Sequence, residues 1–500
     1  MYFVLSIFFP ILAGIYLLVR KEMKDRRNLL ITVAGALAVT AVLVVLTFFR
    51  SGPGMFTLFN LTDRLPLLFK ADEVSVVFSI MAVLVFLCAG VFSFEYMKHE
   101  KTDGTMSKES HMKEKRYYGF YLVVLGVVIA LCFAGNLITF YLFFEILTLS
   151  SMPLVLHNGS REAVMAGLKY LFYSLSGAYM SLFGLYFIER YGNTLTFSEG
   201  GVISAQAASS HGGILLLTAM LMLVGFGVKA GMFPMHAWLT TAHPVAPAPA
   251  SAILSAVIVK AGVLAIVRVV YYIFGVSFLK ETWVQTVWMV LSLLTVFMGS
   301  MLAYREPVLK KRLAYSTVSQ LSYILFGLSV MNAGAVTGSL LHVLCHGFIK
   351  AALFLCAGAV IYMTGKTKVE ELRGIGKEMP LLMWCYTIAS LGLIGIPPTG
   401  GFISKWYLAE GALSSGMAGF NWIGPVILLV SALLTAGYLL PVTIYGFFPG
   451  ADFDYENLRK KEPSRLMTVP VLVLTALSVL IGLFPEGVID YLSRIVVKIM

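Results

Sequence analysis

The sequence predicts an all-helical protein that crosses a membrane about fourteen times. Three observations carry that prediction. Of 500 residues, 59% are hydrophobic and only 13% charged, where soluble proteins average about 25% charged. The apolar residues stand in blocks such as 29–48, uncharged and long enough for a hydrocarbon core of about 30 Å. The blocks are continuous rather than alternating, which selects helices over a closed barrel. A water-soluble globular protein is excluded.

Taken in order, the spans lie near 2–19, 29–48, 74–96, 117–134, 137–156, 164–189, 213–233, 247–272, 283–303, 313–331, 334–363, 381–409, 420–447 and 467–484. A short amphipathic tail, 486–500, follows. The first span does not read as a signal peptide, because no basic residue precedes it and no small-residue cleavage site follows. Its charges come afterwards, at Arg20, Lys21, Lys24, Arg26 and Arg27, so this loop is expected in the cytoplasm and the N-terminus outside. Loops on the side of that first one hold 24 Lys and Arg, and the opposite side holds 8, with Arg268 and Lys280 assigned to the end of the eighth span. The bias predicts an even helix count, with both termini on the outer face of a bacterial or archaeal cell membrane.

The net charge is +11, from 37 basic and 26 acidic residues. Thirty-two of the basic residues read as topology signals, leaving five lysines inside spans: Lys169, Lys229, Lys260, Lys350 and Lys405. A charge at mid-bilayer costs about 3 kcal/mol on insertion scales, so each needs a reason. A single carboxylate, Glu145, sits deep in its span. It reads either as a packing group satisfied by Thr148, Ser150 or Ser151, or as the counter-charge of a buried lysine. Lys229 reads as functional rather than snorkelling, because Phe233-Pro234 breaks the helix just beyond it. Lys260 follows the Pro-rich stretch HPVAPAPASAIL and has no local acid. Burial disfavours an ammonium and a nearby carboxylate favours it, so such lysines can exchange protons. Lys169 lies one turn into the sixth span, either near the surface or as a second partner for Glu145.

In the eleventh span, His342, His346 and Lys350 recur at i, i+4 and i+8, along one helix face. Three titratable groups in a row read as a proton relay; a zinc site lacks a third ligand beside the two histidines. His236 and His243 flank the seventh-to-eighth connection as interface caps or relay members. The twelfth span places Pro397, Pro398, Gly400 and Gly401 just before Lys405, and should unwind there. The seventh span breaks likewise at Pro234. Two broken, lysine-bearing spans five helices apart run in opposite directions, the pattern of an inverted-topology repeat. The expected organisation is an N-terminal three-helix segment with its cytoplasmic loop (1–116), a first repeat of helices 4–8 (117–272), a second of helices 9–13 (283–447), and a C-terminal helix and tail (448–500).

The five cysteines are scattered through spans without paired spacing and read as packing residues. No phosphate loop, CxxC pair or nucleophile triad is present. No metal, cofactor or nucleic acid is expected, and any redox chemistry would belong to partner subunits.

The stretches VKAGMFPMHAWL, LKKRLAYSTVSQLSYI, HVLCHGFIKAALFLCAG and GIPPTGGFISKW resemble the antiporter-like subunits of respiratory complex I. They equally resemble their relatives in Mrp-type sodium/proton antiporters and energy-converting membrane hydrogenases, over residues 70 to 410. The resemblance implies a fourteen-helix module of a multisubunit complex that translocates protons, alone or against sodium. It implies that Glu145, Lys229, Lys260, His342, His346, Lys350 and Lys405 carry the proton path. Two departures bear on the subtype. Lys405 stands where the fourteen-helix complex I subunit has Glu, and no lateral helix like that of the long one is expected after the last span; both features look like the D-type Mrp subunit or a hydrogenase relative. Val308 stands where the family has an acid before its LKR segment. The rival readings are a self-contained solute permease and a structural membrane anchor of a redox complex.

Overall fold

A computed structural model describes residues 1–20, 25–49, 54–62, 65–100, 108–450, 453–455 and 460–500. Lys21 and Lys24 of the first loop lie outside the described residues. Thirteen helices among the described residues are long and apolar enough to cross a membrane. They begin with α1 (Tyr2–Val19), α2 (Arg26–Phe49), α3 (Glu73–Tyr96), α4 (Lys108–Cys132), α5 (Leu137–Val155), α6 (Arg161–Tyr191) and α7 (Ala205–Lys229). A nine-residue helix, α8 (Ala237–Val245), leads into the continuous span α9 (Ala248–Phe274). Then come α10 (Trp283–Arg305), α11 (Leu309–Val330) and α12 (Ala333–Thr364). The chain continues through α13 (Pro380–Ile394), α14 (Gly400–Leu413), α15 (Phe420–Phe447), α16 (Arg465–Leu483) and α17 (Glu486–Ile499).

Helix starts are set locally. Asp72, Asn136, Ser160, Ser204 and Asn332 each accept a bond from the backbone N–H three residues on, satisfying one of the unpaired donors of a first turn. The expected twelfth span is not one helix but two, α13 and α14. Gly395 adopts φ +95°, which ends α13, and Pro397 and Pro398 remove two backbone donors before α14 begins. Helix α7 ends at Lys229, ahead of Gly231 at φ +71° and Pro234.

The chain is not purely helical. Strands β1 (Met55–Thr62) and β2 (Leu65–Lys70) form an antiparallel hairpin, pairing Met55 with Lys70 and Phe56 with Phe69. Its ladder is extended by Lys70 N–H to the Phe133 carbonyl at 2.7 Å and Gly135 N–H to Leu68 at 2.8 Å. The hairpin therefore shares one end of the bundle with residue 1, since Phe3 and Phe133 rings meet at 5.6 Å. Helix α17 lies at this N-terminal face too, through Phe48 against Tyr491 at 6.0 Å. It buries Leu492, Ile495, Val496 and Ile499 and leaves Val497 exposed, as an amphipathic surface helix does.

Helices α9, α11 and α12 form the core. The hydrophobic window of α9 is 100% buried, against 33% for α1, α2 and α15, whose apolar outer faces are what lipid would cover. Small residues let helices approach closely: an added Cβ at Gly177 would stand 2.4 Å from the Gly225 carbonyl, so α6 and α7 touch backbone to backbone. Charge sorting by loops needs one correction. Arg268, counted as a span-end topology charge, is 1% exposed inside α9. It is held by Asp72 Oδ2 at 2.6 Å and Oδ1 at 2.8 Å. Lys310 and Arg312, also counted with a loop, are buried at the start of α11 on backbone carbonyls.

Candidate functional site

On α5, Glu145 lies on a helix that also carries Phe144 and Thr148, and these two receive Lys229 from the end of α7. Lys229 Nζ donates to the Phe144 carbonyl at 3.1 Å and to Thr148 Oγ1 at 2.7 Å, with the Phe144 ring centroid 4.2 Å away. No direct ion pair joins Glu145 to Lys229 among the described residues, although the two feel each other's charge. Glu145 Oε1 is buried with no hydrogen-bond partner. The three nearby hydroxyls do not satisfy it: Thr148 is on Lys229, Ser150 donates to Leu147, and Ser151 is shared between Leu147 and the Tyr170 hydroxyl. The arrangement is a half-buried carboxylate, one oxygen of it enclosed and unpaired, beside a buried ammonium held by neutral oxygens.

Helix termination explains the position of Lys229. The last carbonyls of α7 have no helical donors beyond them, and the turn through Ala230 and Gly231 brings Trp238 Nε1 onto the Val228 carbonyl at 2.8 Å. Gly262 of α9 packs at this break, where a Cβ would be 2.6 Å from Ala230 N. The two lysine-bearing helices α7 and α9 are thereby held together.

A second group lies around α9 and α12. Lys260 Nζ bonds to the Ser255 carbonyl at 2.7 Å and meets His346 Nδ1 at 2.6 Å. The His346 ring stacks on His342, centroids 5.9 Å apart, as the i, i+4 spacing on α12 dictates. His342 Nδ1 meets Ser404 Oγ of α14 at 2.9 Å, and Nε2 meets Gln320 Oε1 of α11 at 3.2 Å. Ser404 Oγ also donates to the Gly401 carbonyl at 3.0 Å. The Gln320 oxygen only accepts, so Nε2–H donates to it, while the Ser404 hydroxyl can give or accept at Nδ1. Tyr323 stacks on His342 at 5.9 Å, and its other neighbour is Lys405, with Nζ 4.8 Å from the ring centroid. Lys405 Nζ is anchored on the Leu393 and Ile394 carbonyls, at 2.6 and 3.1 Å. These are end carbonyls of α13, freed because the helix stops there.

The structure therefore gathers Lys260, His346, His342 and Lys405 into one line across α9, α12 and α14. Lys350 shares the α12 face but branches off, bonding the Leu313 carbonyl of α11 at 3.0 Å. His243 is fully buried against Phe354, ring centroids 4.6 Å apart, and neither of its ring nitrogens has a partner among the described residues. Lys310, Lys350 and Lys260 surround it electrostatically. His236 stacks on Phe233 at 6.1 Å, and Lys169, half-buried, lies within electrostatic reach of it. A cavity of about 330 Å³ opens at the face opposite the N-terminus, over Lys310, Pro244, Pro247 and His157.

Two contributors, Gln320 and Ser404, were not singled out from the sequence, and a third, Thr148, was given another role. Gln320 and Ser404 had a readable signal, being polar side chains within apolar spans, and both fall inside stretches that carried the family resemblance. Thr148 was read as a partner for the carboxylate and instead holds the lysine.

Residues 134–435 match the membrane-domain family described as NADH:quinone oxidoreductase/Mrp antiporter, TM. The chain belongs to that family. It is 33% identical over 386 residues to NADH-quinone oxidoreductase subunit N of Desulforudis audaxviator, covering 75% of each chain. It is 27% identical over 500 residues to the D-type subunit of the Na(+)/H(+) antiporter of Alkalihalophilus pseudofirmus, covering 99% of this chain and 97% of that one. Among solved structures, a chain of the Mrp complex from Dietzia sp. superposes with a TM-score of 0.84 at 22% identity, over 99% of this chain and 97% of that one. The family member described here is thus a polytopic helical membrane protein with the fold of those subunits.

Proposed function

We propose that this protein is a proton-translocating subunit of a multisubunit membrane complex, moving protons alone or in exchange for sodium. The observation that carries the reading is the row of titratable side chains in the core: hydrogen bonds join Lys260 to His346 and His342 to Ser404, the two imidazoles stack at 5.9 Å between them, and Lys405 follows Ser404 on α14. A charged group at that depth is costly and is retained where it moves charge. Glu145 and Lys229 act as the switch. When they approach, the carboxylate holds the proton on Lys229; when they part, it is released toward Lys260, with Lys350 as a side reservoir. Lys405 delivers it at the end of the line. These groups interact, so they titrate as a set rather than singly.

The same reading assigns helices 4–8 and 9–13 to inverted repeats with the lysine-bearing breaks at corresponding places, and puts both termini on the outer face. Other membrane subunits are its partners, as the fold relatives assemble in complexes. A self-contained permease would need a cavity shaped for a solute, whereas the core holds packed titratable side chains. The test is proton movement in vesicles carrying the assembled complex. Glu145→Ala and Lys229→Ala should each abolish it with assembly intact, and Lys229→Arg should fail as well, because a guanidinium keeps its proton. Wild-type rates in any of the three would overturn the proposal.

A further inference from the structure

Arg268 is the one buried cation inside α9 that the line of transport residues does not use, and its surroundings differ from those of a simple structural pair. It stands two turns beyond Lys260 on the same helix, with Leu264 between, a rise of about 12 Å. Helix α9 departs from α geometry at Leu254–Ile258, next to Lys260, and again at Arg268–Phe274, where it becomes π-helical. Such turns recur at functional positions because they displace a backbone ladder that can shift back.

From Lys260 toward the N-terminal face, the space is nearly but not wholly closed. A gap of about 10 Å³ touches Lys260, Leu264, Cys132, Phe78 and Met81. That is about one water-sized sphere, in a lining that is apolar apart from Lys260, so the route is dry while the bridge is closed. Beyond it Arg268 closes the way, its guanidinium forked onto Asp72 and bonded to Ser75 Oγ at 3.0 Å. Rings of Tyr272 and Phe197 cover it at 4.6 and 5.1 Å, and its Nε has no partner among the described residues. On the far side of Asp72 a cavity of about 540 Å³ opens at the N-terminal face, lined by Glu73, Glu199, Tyr272, Arg494 and Lys498. Helix α17 roofs it, and Lys498 Nζ fixes Glu73, the neighbour of Asp72, at 2.6 Å.

We propose that the Asp72–Arg268 bridge is the closed gate of a water route from Lys260 to the cavity under α17, with α17 as its latch. As mere cement the bridge would be poorly chosen, because apolar packing ties two helices together at least as well as a buried ion pair. As a gate it fits: it separates a wide cavity bordered by Glu73, Glu199, Arg494 and Lys498 from a small, mostly apolar gap against the Lys260 side chain. The inference rests on Lys260 belonging to the proton path, but the gate itself is read by thiol access and not by transport.

Cys132 reports on it, because it lines the gap and lies within electrostatic reach of Arg268. The assembled complex, in vesicles of both orientations, is treated with a membrane-impermeant maleimide and modified peptides are mapped. The exposed position 497, changed as Val497→Cys, marks the face that carries α17. Cys132 should be protected in the unaltered chain. Asp72→Ala and Arg268→Gln should raise its labelling at least tenfold from the α17 face alone, while Cys88, Cys345, Cys356 and Cys385 stay protected. The swap D72R/R268D should restore protection. Should the first variants fail to accumulate, Arg268→Lys, which keeps the charge and loses the fork, should give a smaller gain of the same kind. Passive proton leak in the Asp72→Ala chain should vanish on adding Lys260→Gln, with labelling unchanged. Protection of Cys132 in all these single variants, labelling of all five cysteines together, or a leak indifferent to Lys260→Gln would overturn the proposal. Labelling that persists while the transport variants of the previous section behave as wild type would leave the gate standing and remove the proton path.

Discussion

Replacing Gly401 with alanine adds one methyl group where the two halves of the twelfth span meet. Its Cβ would lie 1.9 Å from the Gly392 carbonyl oxygen and 2.9 Å from the carbonyl carbon, both backbone atoms of α13. Contacts below 3.0 Å are essentially never tolerated, so α14 must retreat from α13 by about 1.1 Å. Lys405 bridges that same seam, at 2.6 and 3.1 Å from the Leu393 and Ile394 carbonyls. A retreat of that size stretches the shorter bond to about 3.7 Å, beyond hydrogen-bond range. His342 loses one of its two partners as well, since Ser404 rides on α14. Displacements of about 1 Å in a reacting constellation cost on the order of a hundredfold in rate. The expectation is therefore a hundredfold slower proton movement, read by a pH-sensitive dye in vesicles and normalised to subunit content. Gly35→Ala in α2 is the control, because no atom stands within 4 Å of its added methyl. That control should leave transport unchanged and add about 1 kcal/mol of helix stability at most. Wild-type transport by the Gly401→Ala chain would refute the claim that the seam positions Lys405.

His346→Phe keeps the ring volume but removes the nitrogen that meets Lys260, so proton movement should fall by about two orders of magnitude with normal assembly. Ser404→Ala leaves His342 with Gln320 alone and should slow transport several-fold; combined with Gln320→Leu, the loss should exceed the product of the two, because they hold one ring. Glu114→Gln breaks the fork that Arg26 makes at 2.9 and 2.6 Å near the N-terminal ends of α2 and α4, and should cost about 1–3 kcal/mol in thermal unfolding of the purified complex with no direct effect on transport. Lys350→Met removes only the side branch, so it should reduce transport less than Lys260→Met does when both are assayed in the same vesicles.

Much of the architecture was legible before any coordinate. A bilayer core demands long apolar runs, and a chain that supplies them announces nearly every crossing by composition alone. Within residues 381–409 hydropathy alone shows one run, and the interruption was legible only in the residue types, Pro397, Pro398, Gly400 and Gly401; in the structure Gly395 and the proline pair lie between α13 and α14. The hairpin at 55–70 escaped, being too short to signal itself and stabilised by backbone bonds to Phe133 and Gly135 far along the chain.

The sequence by itself picked out the charges that fall within apolar runs, Glu145, Lys169, Lys229, Lys260, Lys350 and Lys405, because burying a charge is costly, although Lys169 is only half-buried in the fold. It also determined that His342, His346 and Lys350 share a face, since helical periodicity is local. Only the tertiary structure decided who touches whom. Hydrogen bonds form between helices a hundred residues apart, so Lys260 on His346, Lys229 on Thr148 rather than on Glu145, and Arg268 on Asp72 could be neither counted nor spaced out beforehand. Arg268 shows the division most plainly. Near the end of a span an arginine reads as a topology charge, and only the packing of α3 against α9 turns it into a buried pair.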